Sequence, residues 1–392
     1  MTAALAGLKV LEIGQWVAAP YCTAVLADLG ADVIKVERPG SGDDQRLSPP
    51  YAAGQSALFN QMNRNKRSLT LELDTAEGRA ICLDLAAAAD VVVSNFRPGT
   101  IEKLGLGYEA VSSRNPRVIY ALITGFGIEG PLADRAGMDL IAQAMSGMML
   151  LTANPEGRPG RVPMAAADIS TGLYATIGIL AALQARERSG RGQMVDFALL
   201  DSMLAMMPME TAGYFASGQN PPRYHLRKTA NAAPYNVFQT GDGWVTVVAA
   251  AQPLWESLCR VIGREDLNHD PRFSSSGSRI QNVLALEAVL TPIFLADTSA
   301  NWLARMDAAR IPCSPVMELE EILNHPHLAA RNTHVAPPDG PATVQRVVVA
   351  PIRMSDTPVS IHRSAPALGQ DTAAILARLE SSKEWPSHAR PQ

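Results

Sequence analysis

One carboxylate in this chain stands out by its surroundings. Asp168, in Pro163–Gly172 (PMAAADISTG), follows apolar residues and precedes a long apolar stretch that reads as a buried helix. One reading is local: an Asp placed before Ser170 and Thr171 can act as a helix N-cap, accepting backbone N–H bonds. The other uses the same geometry for chemistry. A helix N-terminus favours an ionised carboxylate, which would leave a charged nucleophile in nonpolar surroundings. Covalent catalysis by a carboxylate needs that combination.

A second group is basic and aromatic. Asn63–Arg67 (NRNKR), Arg38 and Asn95–Gly99 (NFRPG) fall at the ends of expected strands or in the loops beyond them. Arg and Lys there could hold phosphates, and Phe96 could stack on a purine. Taken singly, each is better read as a solvated surface charge. Their shared position is what points to a ligand. Other chemistries find no support. The turn after the first strand is Gly14–Pro20 (GQWVAAP), which is no GxGxxG, and there is no GxxxxGK[ST], so a nicotinamide or P-loop nucleotide is disfavoured. No GxSxG is present. His325-Pro326-His327 suggests a metal pair, but the proline spoils helical spacing, and no metal is expected. His225, His269, His334, His362 and His388 lie in polar loops and read as exposed.

The elements that must position these residues alternate strand and helix over the first 130 residues, as in βαβ units. Leu8–Gly14, Asp32–Glu37, Ser68–Leu73, Asp90–Phe96 and Arg117–Gly125 read as strands, several of them continuous apolar runs of the buried, parallel kind. Pro20–Leu29 and Thr75–Ala89 read as helices. A mostly parallel sheet follows, with ligands expected at its carboxyl ends. Helices are expected at Asp139–Leu151, Ile169–Arg188 and Val195–Ala216, then a linker at Ser217–Lys228. Pro234–Ala250 reads as a hairpin turning at Gly241–Gly243, and Val344–Pro351 as a strand returning to the first domain.

A chain of 392 residues is too long for one core, so two domains are expected. A hydrophobic share of 47% and a charged share of 18% supply a large core and argue against disorder. A net charge of -4 gives no footprint for nucleic acid or an anionic membrane. The run Gly172–Ala185 is apolar but shorter than a bilayer span, and Arg186 follows at once, so a core helix is expected. Four scattered cysteines and an N-terminus without a basic leader fit reduced thiols in the cytoplasm.

Across nearly the whole chain the sequence resembles the class III coenzyme A transferases, the group that contains formyl-CoA transferase, carnitine CoA-transferase and 2-methylacyl-CoA racemase. The resemblance is carried by Leu29–Gly40 (LGADVIKVERPG), Asn65–Ser68 (NKRS), Asn95–Gly99 (NFRPG), Leu104–Tyr108 (LGLGY), Thr124–Pro131 (TGFGIEGP), Ala136–Ala142 (AGMDLIA), Ala167–Tyr174 (ADISTGLY), Ser189–Gln193 (SGRGQ) and Leu368–Thr372 (LGQDT), in that order. It implies an α/β fold: a Rossmann-like, mostly parallel sheet in a large CoA-binding domain (1–216 and 330–392), with linkers and a smaller α+β domain at 217–329. It further implies an interlocked homodimer whose active site forms between one chain's large domain and the partner's small domain. Asp168 matches the family's nucleophile, and Val17, Arg38, Leu71, Asn95, Phe96 and Lys103 match its CoA contacts. No cofactor is implied, because coenzyme A enters as substrate with a small carboxylic acid.

The departures bear on the branch. Racemases carry a His where this chain has Met138 and a Glu where it has Gln252, and two-base proton exchange needs two titratable groups. The transferase reading is favoured, with the racemase and a non-catalytic acyl-CoA-binding protein as alternatives. Thr229–Pro234 (TANAAP) stands where the formyl-CoA branch has its glycine run, which puts a formyl or oxalyl substrate in doubt. The large domain resembles most the dicarboxylate-using members, and that resemblance implies succinyl-CoA as donor.

Overall fold

A computed structural model of the chain describes residues 3–52, 54–154, 156–221, 232–339, 346–382 and 384–387. His225, His388, residues 222–228 of Ser217–Lys228 and residues 229–231 of Thr229–Pro234 lie outside the described residues. The chain divides into two compact units: Met1–Met148, Arg161–Phe215 and Pro326–Gln392 form the first, and Met149–Gly160 with Ala216–His325 the second. Met149–Gly160, read from the sequence with the large domain, groups with the second unit.

The first unit is built on a sheet of β1 (Lys9–Ile13), β2 (Asp32–Glu37), β3 (Lys66–Thr70), β4 (Val91–Ser94), β5 (Ile119–Thr124) and β6 (Gln193–Ala198). The strands run parallel in the order β3-β2-β1-β4-β5-β6. That is the Rossmann order, and it reverses between β1 and β4, the switch point at whose crevice, beyond the strands' carboxyl ends, folds of this order hold their ligands. Side chains alternate across the sheet. Val10, Val33, Val91, Val93 and Ile119 join α1 (Ala18–Asp28) in one core layer. Leu11, Ile13, Ile34, Val92 and Leu122 join α2 (Ala76–Ala88) and the C-terminal helix Thr372–Ser382 in the other. Each face of the sheet is therefore covered, as a parallel sheet requires.

Two further helices position the site: α3 (Asp139–Met145) and α4 (Ala166–Ser189). At 24 residues, α4 is long and apolar enough to cross a bilayer, longer than the run read from the sequence. Its Ala167, Ala175, Ile179 and Ala182 pack into the layer with α1, and its buried Arg186 pairs with Asp90 at 3.2 Å. It is a core helix of this unit.

Three expectations are corrected. Val195–Ala216 is not one helix: β6 comes first, then α5 (Leu199–Ala205) and a helix over Pro208–Ser217. No Gly or Pro lies between Val195 and Met207, so nothing local marks the change from strand to helix after Ala198. Asp139–Leu151 is likewise broken, α3 ending at Met145 before a single turn at Met148–Leu151. Of the strand expected at Val344–Pro351, only Val347–Val348 is paired among the described residues.

In the second unit, β7 (Tyr235–Gln239), β8 (Trp244–Val248) and β9 (Cys313–Pro315) form an antiparallel sheet with β8 central. It packs against α6 (Gln252–Val261), α7 (Val283–Leu295) and α8 (Ser299–Ala308) around Phe238, Trp255, Phe294 and Trp302. The chain is thus an α/β protein whose smaller unit is α+β.

Candidate functional site

Asp168 is the third residue of α4, not its cap. The cap position is Ala165, which offers no side-chain bond to the helix. The carboxylate that serves this terminus is Asp139, the first residue of α3. Its Oδ1 accepts from Ala167 N–H at 2.8 Å and lies 3.5 Å from Asp168 N. Burial, and after it the like charge of Asp139, pushes the Asp168 carboxyl up from 3.8 to about 7. The expectation that the helix N-terminus would hold Asp168 firmly ionised is therefore corrected. Near neutral pH this carboxylate is poised between its two protonation states and is far more basic than an ordinary Asp.

The helix lies close against α1. A Cβ on Gly172 would stand 2.9 Å from Ala18 O and 3.1 Å from Tyr21 Cδ1, so only glycine permits the crossing. One turn further along, Thr176 Oγ1 approaches Cys22 Sγ at 3.5 Å. The contact therefore runs from Cys22 back toward the start of α1, and the preceding turn of α4 carries Asp168. Burial pushes the Cys22 thiol up to about 12, which leaves it an inert packing group.

The turn from β1 into α1 is held from three sides. Lys35 Nζ donates to Gly14 O at 2.9 Å, Asn95 Nδ2 donates to Gln15 O at 2.7 Å, and Asp43 Oδ1 accepts from Trp16 N–H at 3.1 Å. Trp16 itself has φ 67°, a left-handed conformation costly for a bulky side chain, and it remains exposed. Beneath the turn Glu12 pairs with Lys35 at 2.6 Å and with Lys66 at 2.8 Å, and Lys35 also reaches Asp43 at 2.9 Å. Burial opposes the charge on Glu12, yet the two lysines outweigh it and hold the carboxyl down to about 2.

The six residues matched to CoA contacts all follow the carboxyl ends of strands. Val17 stands at the cap position of α1, and Asn95 and Phe96 follow β4 across the crevice. Arg38 follows β2 and is exposed, paired with Asp44. Leu71 follows β3, buried, its N–H bonded to Glu37 O at 3.0 Å. Lys103, exposed, ends the turn Thr100–Lys103, which Ile101 anchors in the core. The basic run Asn63–Arg67 is different, and both readings of it are corrected. Arg64 pairs with Asp28 at 2.6 Å, Lys66 with Glu12, and Arg67 with Asp32 at 2.7 Å, all inside the unit. These cations are neither solvated nor open to a phosphate. Lys66 and Arg67 tie β3 to β1 and β2, and Arg64 ties the residues before β3 to the end of α1.

Asp139 and Gln143 were not legible as site residues from the sequence. They sit four apart in Ala136–Gln143 (AGMDLIAQ), the i, i+4 spacing that puts both on one face of a helix.

The fold thus offers a parallel sheet whose order gathers ligands at the strands' carboxyl ends, and a half-buried carboxylate of raised pKa on the helix that crosses α1. The profile of CoA-transferase family III matches residues 5–372. The chain is 37% identical over 384 residues to the succinate–glutarate CoA-transferase of Agrobacterium fabrum, covering 96% of each chain. It is 38% identical over 392 residues to the succinyl-CoA:mesaconate CoA-transferase of Haloarcula hispanica, covering 95% of this chain and 96% of that one. A CAIB/BAIF family protein from Brucella suis shares its structure with a TM-score of 0.87 and 37% identity, over 97% of this chain and 100% of that one. The chain belongs to CoA-transferase family III and is a transferase acting on coenzyme A thioesters.

Proposed function

We propose that this enzyme moves coenzyme A from a dicarboxylyl thioester such as succinyl-CoA to a second small carboxylic acid, with Asp168 as the covalent carrier. The carrying observation is a basic, half-buried carboxylate at the start of α4, beside the crevice where this fold gathers ligands. Supporting the donor class are the two relatives named above, each named for succinate or succinyl-CoA.

The reaction balances without a redox or metal partner. Ionised Asp168 attacks the thioester carbonyl, the C–S bond breaks, and CoA leaves as thiolate with an aspartyl–acyl anhydride behind it. The thiolate attacks the Asp168 carbonyl carbon, releasing the donor acid and leaving an aspartyl-CoA thioester. The acceptor carboxylate attacks that thioester, the thiolate leaves again, and its attack on the acceptor's carbonyl regenerates Asp168. Thioester and anhydride conserve the activation, so no cofactor is required. Both must be kept from water, and the buried setting of Asp168 serves that end.

Val17, Arg38, Leu71, Asn95, Phe96 and Lys103 are the proposed CoA contacts. Arg38 suits a phosphate, because its exposed pairing with Asp44 is weak and exchangeable. The proposal includes an interlocked homodimer in the cytoplasm. In its favour are exposed apolar side chains on the helices of the site, Leu140 and Met145 on α3 and Leu173 and Ile177 on α4. Against a racemase, Met138 cannot titrate, and Gln252 is engaged by Arg279 at 2.9 Å.

The test is CoA exchange by Asp168→Ala and Asp168→Asn with panels of donors and acceptors. Transfer should fall by at least about a thousandfold in both. Near wild-type rates in either would remove Asp168 from the covalent role. Loss of α-deuterium without an acceptor acid would move the assignment to the racemase.

A further inference from the structure

The start of α4 is bound to α3 at two levels. Gln143, fully buried, accepts from Val162 N–H at 3.0 Å and donates to Met164 O at 3.3 Å, which fixes the segment leading into the helix. It also donates to Asp139 Oδ2 at 2.8 Å. The other oxygen of Asp139 then takes the backbone N–H of Ala167, adjacent to Asp168. The loop before α3 is pinned in turn, because Gly137 and Gly125 at the end of β5 approach so closely that a Cβ on Gly137 would stand 2.4 Å from Gly125 Cα. Sheet, α3 and the nucleophile's backbone thus form one connected frame.

We propose that Asp139 is a positioning residue for CoA transfer, holding the backbone of Asp168 while setting a like charge beside its carboxylate. The inference rests on Asp168 being the covalent carrier. Two opposed effects of one side chain follow. Its hydrogen bond satisfies helix donors that Ala165 leaves without a side-chain partner. Its charge raises the free energy of ionised Asp168, and that repulsion ends when Asp168 becomes a neutral anhydride or thioester. Asp139 therefore favours the covalent intermediates over the resting carboxylate and makes Asp168 the stronger nucleophile.

Among the described residues, the elements packed against α4 bring these other charged or titratable groups: Tyr21 and Cys22 on α1, Asp196 on β6, Asp201 on α5, Asp90 and Arg117 at its far end beside Arg186, and exposed Arg161 on the segment before the helix. After burial, Asp139 is the group that raises the Asp168 carboxyl.

The experiment compares Asp139→Asn and Asp139→Ala with the wild type in kcat/KM against pH from 5 to 9 and in thermal unfolding. Asparagine keeps an oxygen for Ala167 N–H but removes the charge. The acidic limb should move down by roughly half a pH unit or more in Asp139→Asn, and the plateau should fall about tenfold, with the unfolding midpoint nearly unchanged. Asp139→Ala should show the same shift together with a lower midpoint. An unmoved limb in Asp139→Asn, or activity loss that merely follows lost stability, overturns the positioning role. Asp168→Asn is run alongside. If it is inactive while the limb is unmoved, only the role of Asp139 fails, whereas an active Asp168→Asn overturns the covalent reading and this inference with it.

Discussion

The side-chain amide of Asn95 closes on both backbone groups of Gln15, accepting from its N–H at 3.0 Å and donating to its carbonyl at 2.7 Å. Asn95 follows β4 and Gln15 follows β1, so this one side chain joins the two loops that border the crevice. It also fixes the residue before Trp16, whose left-handed backbone would otherwise relax. Asn95→Ala should cost about 1–2 kcal/mol in stability for the lost bonds. The larger effect should be on binding, with KM for the acyl-CoA donor up roughly tenfold. Steady-state kinetics beside a thermal melt checks both. A variant with wild-type KM would separate Asn95 from the ligand crevice.

Glu12, Lys35 and Lys66 are fully buried, on neighbouring strands and facing the same core layer. Removing the one carboxylate between two buried ammonium groups leaves Asp43, on Lys35, as the remaining ion-pair partner among the described residues and Lys66 without one. Glu12→Gln should lower stability by about 3–5 kcal/mol at neutral pH. The carboxyl sits at about 2 in the folded chain against 4.5 as its ordinary value. Its contribution is therefore complete above about 4.5 and is lost as pH falls from there toward about 2. Urea unfolding of both proteins across this window should show the difference shrinking toward the acid end. A pH-independent difference would contradict the assignment.

Much of the sheet is legible in the sequence because its strands are continuous apolar runs bounded by turns. Val91–Ser94 and Ile119–Thr124 need no tertiary information to be recognised. The basic run at 63–67 is the opposite case. Its charges are matched by Asp28, Glu12 and Asp32, 35 to 54 residues away in sequence, and no local pattern announces a partner at that distance. The same holds for Asp168. Its apolar neighbours mark it as unusual, but the second carboxylate, which after burial raises it further, comes from a separate helix 29 residues earlier.

Gly172 is where α4 touches α1. Gly172→Ala would drive a methyl group against Ala18 O and Tyr21, neither of which can retreat without moving α1. The cost should be about 1–3 kcal/mol in stability. Because α4 must shift to accept the methyl, and Asp168 lies one turn away, transfer should fall by more than the stability loss accounts for. Comparing kcat well below the melting temperature with the unfolding midpoint tests this. Unchanged kcat would mean the crossing and the chemistry are independent.

A carboxyl pushed up to about 7 destabilises the folded chain wherever the same group would be ionised in the unfolded one. Relative to a neutral side chain the penalty is absent below about 4, grows as pH rises, and is complete above about 7. Asp168→Asn should therefore be more stable than the wild type at pH 8, by roughly 2–4 °C in Tm for each 1 kcal/mol relieved. The gain should fade as pH is lowered toward 4. A gain that grew toward acid would reverse the sign of the shift and remove the physical basis for a basic nucleophile.

The central claim is a covalent bond at one named atom pair. The direct measurement is to mix the enzyme with succinyl-CoA in the absence of an acceptor, quench in acid and map the peptides by mass. The account predicts coenzyme A joined as a thioester to the peptide containing Asp168, lost on treatment with hydroxylamine and absent from Asp168→Asn. An adduct on another residue, or rapid transfer with the Asp168 peptide unmodified at every quench time, would contradict it.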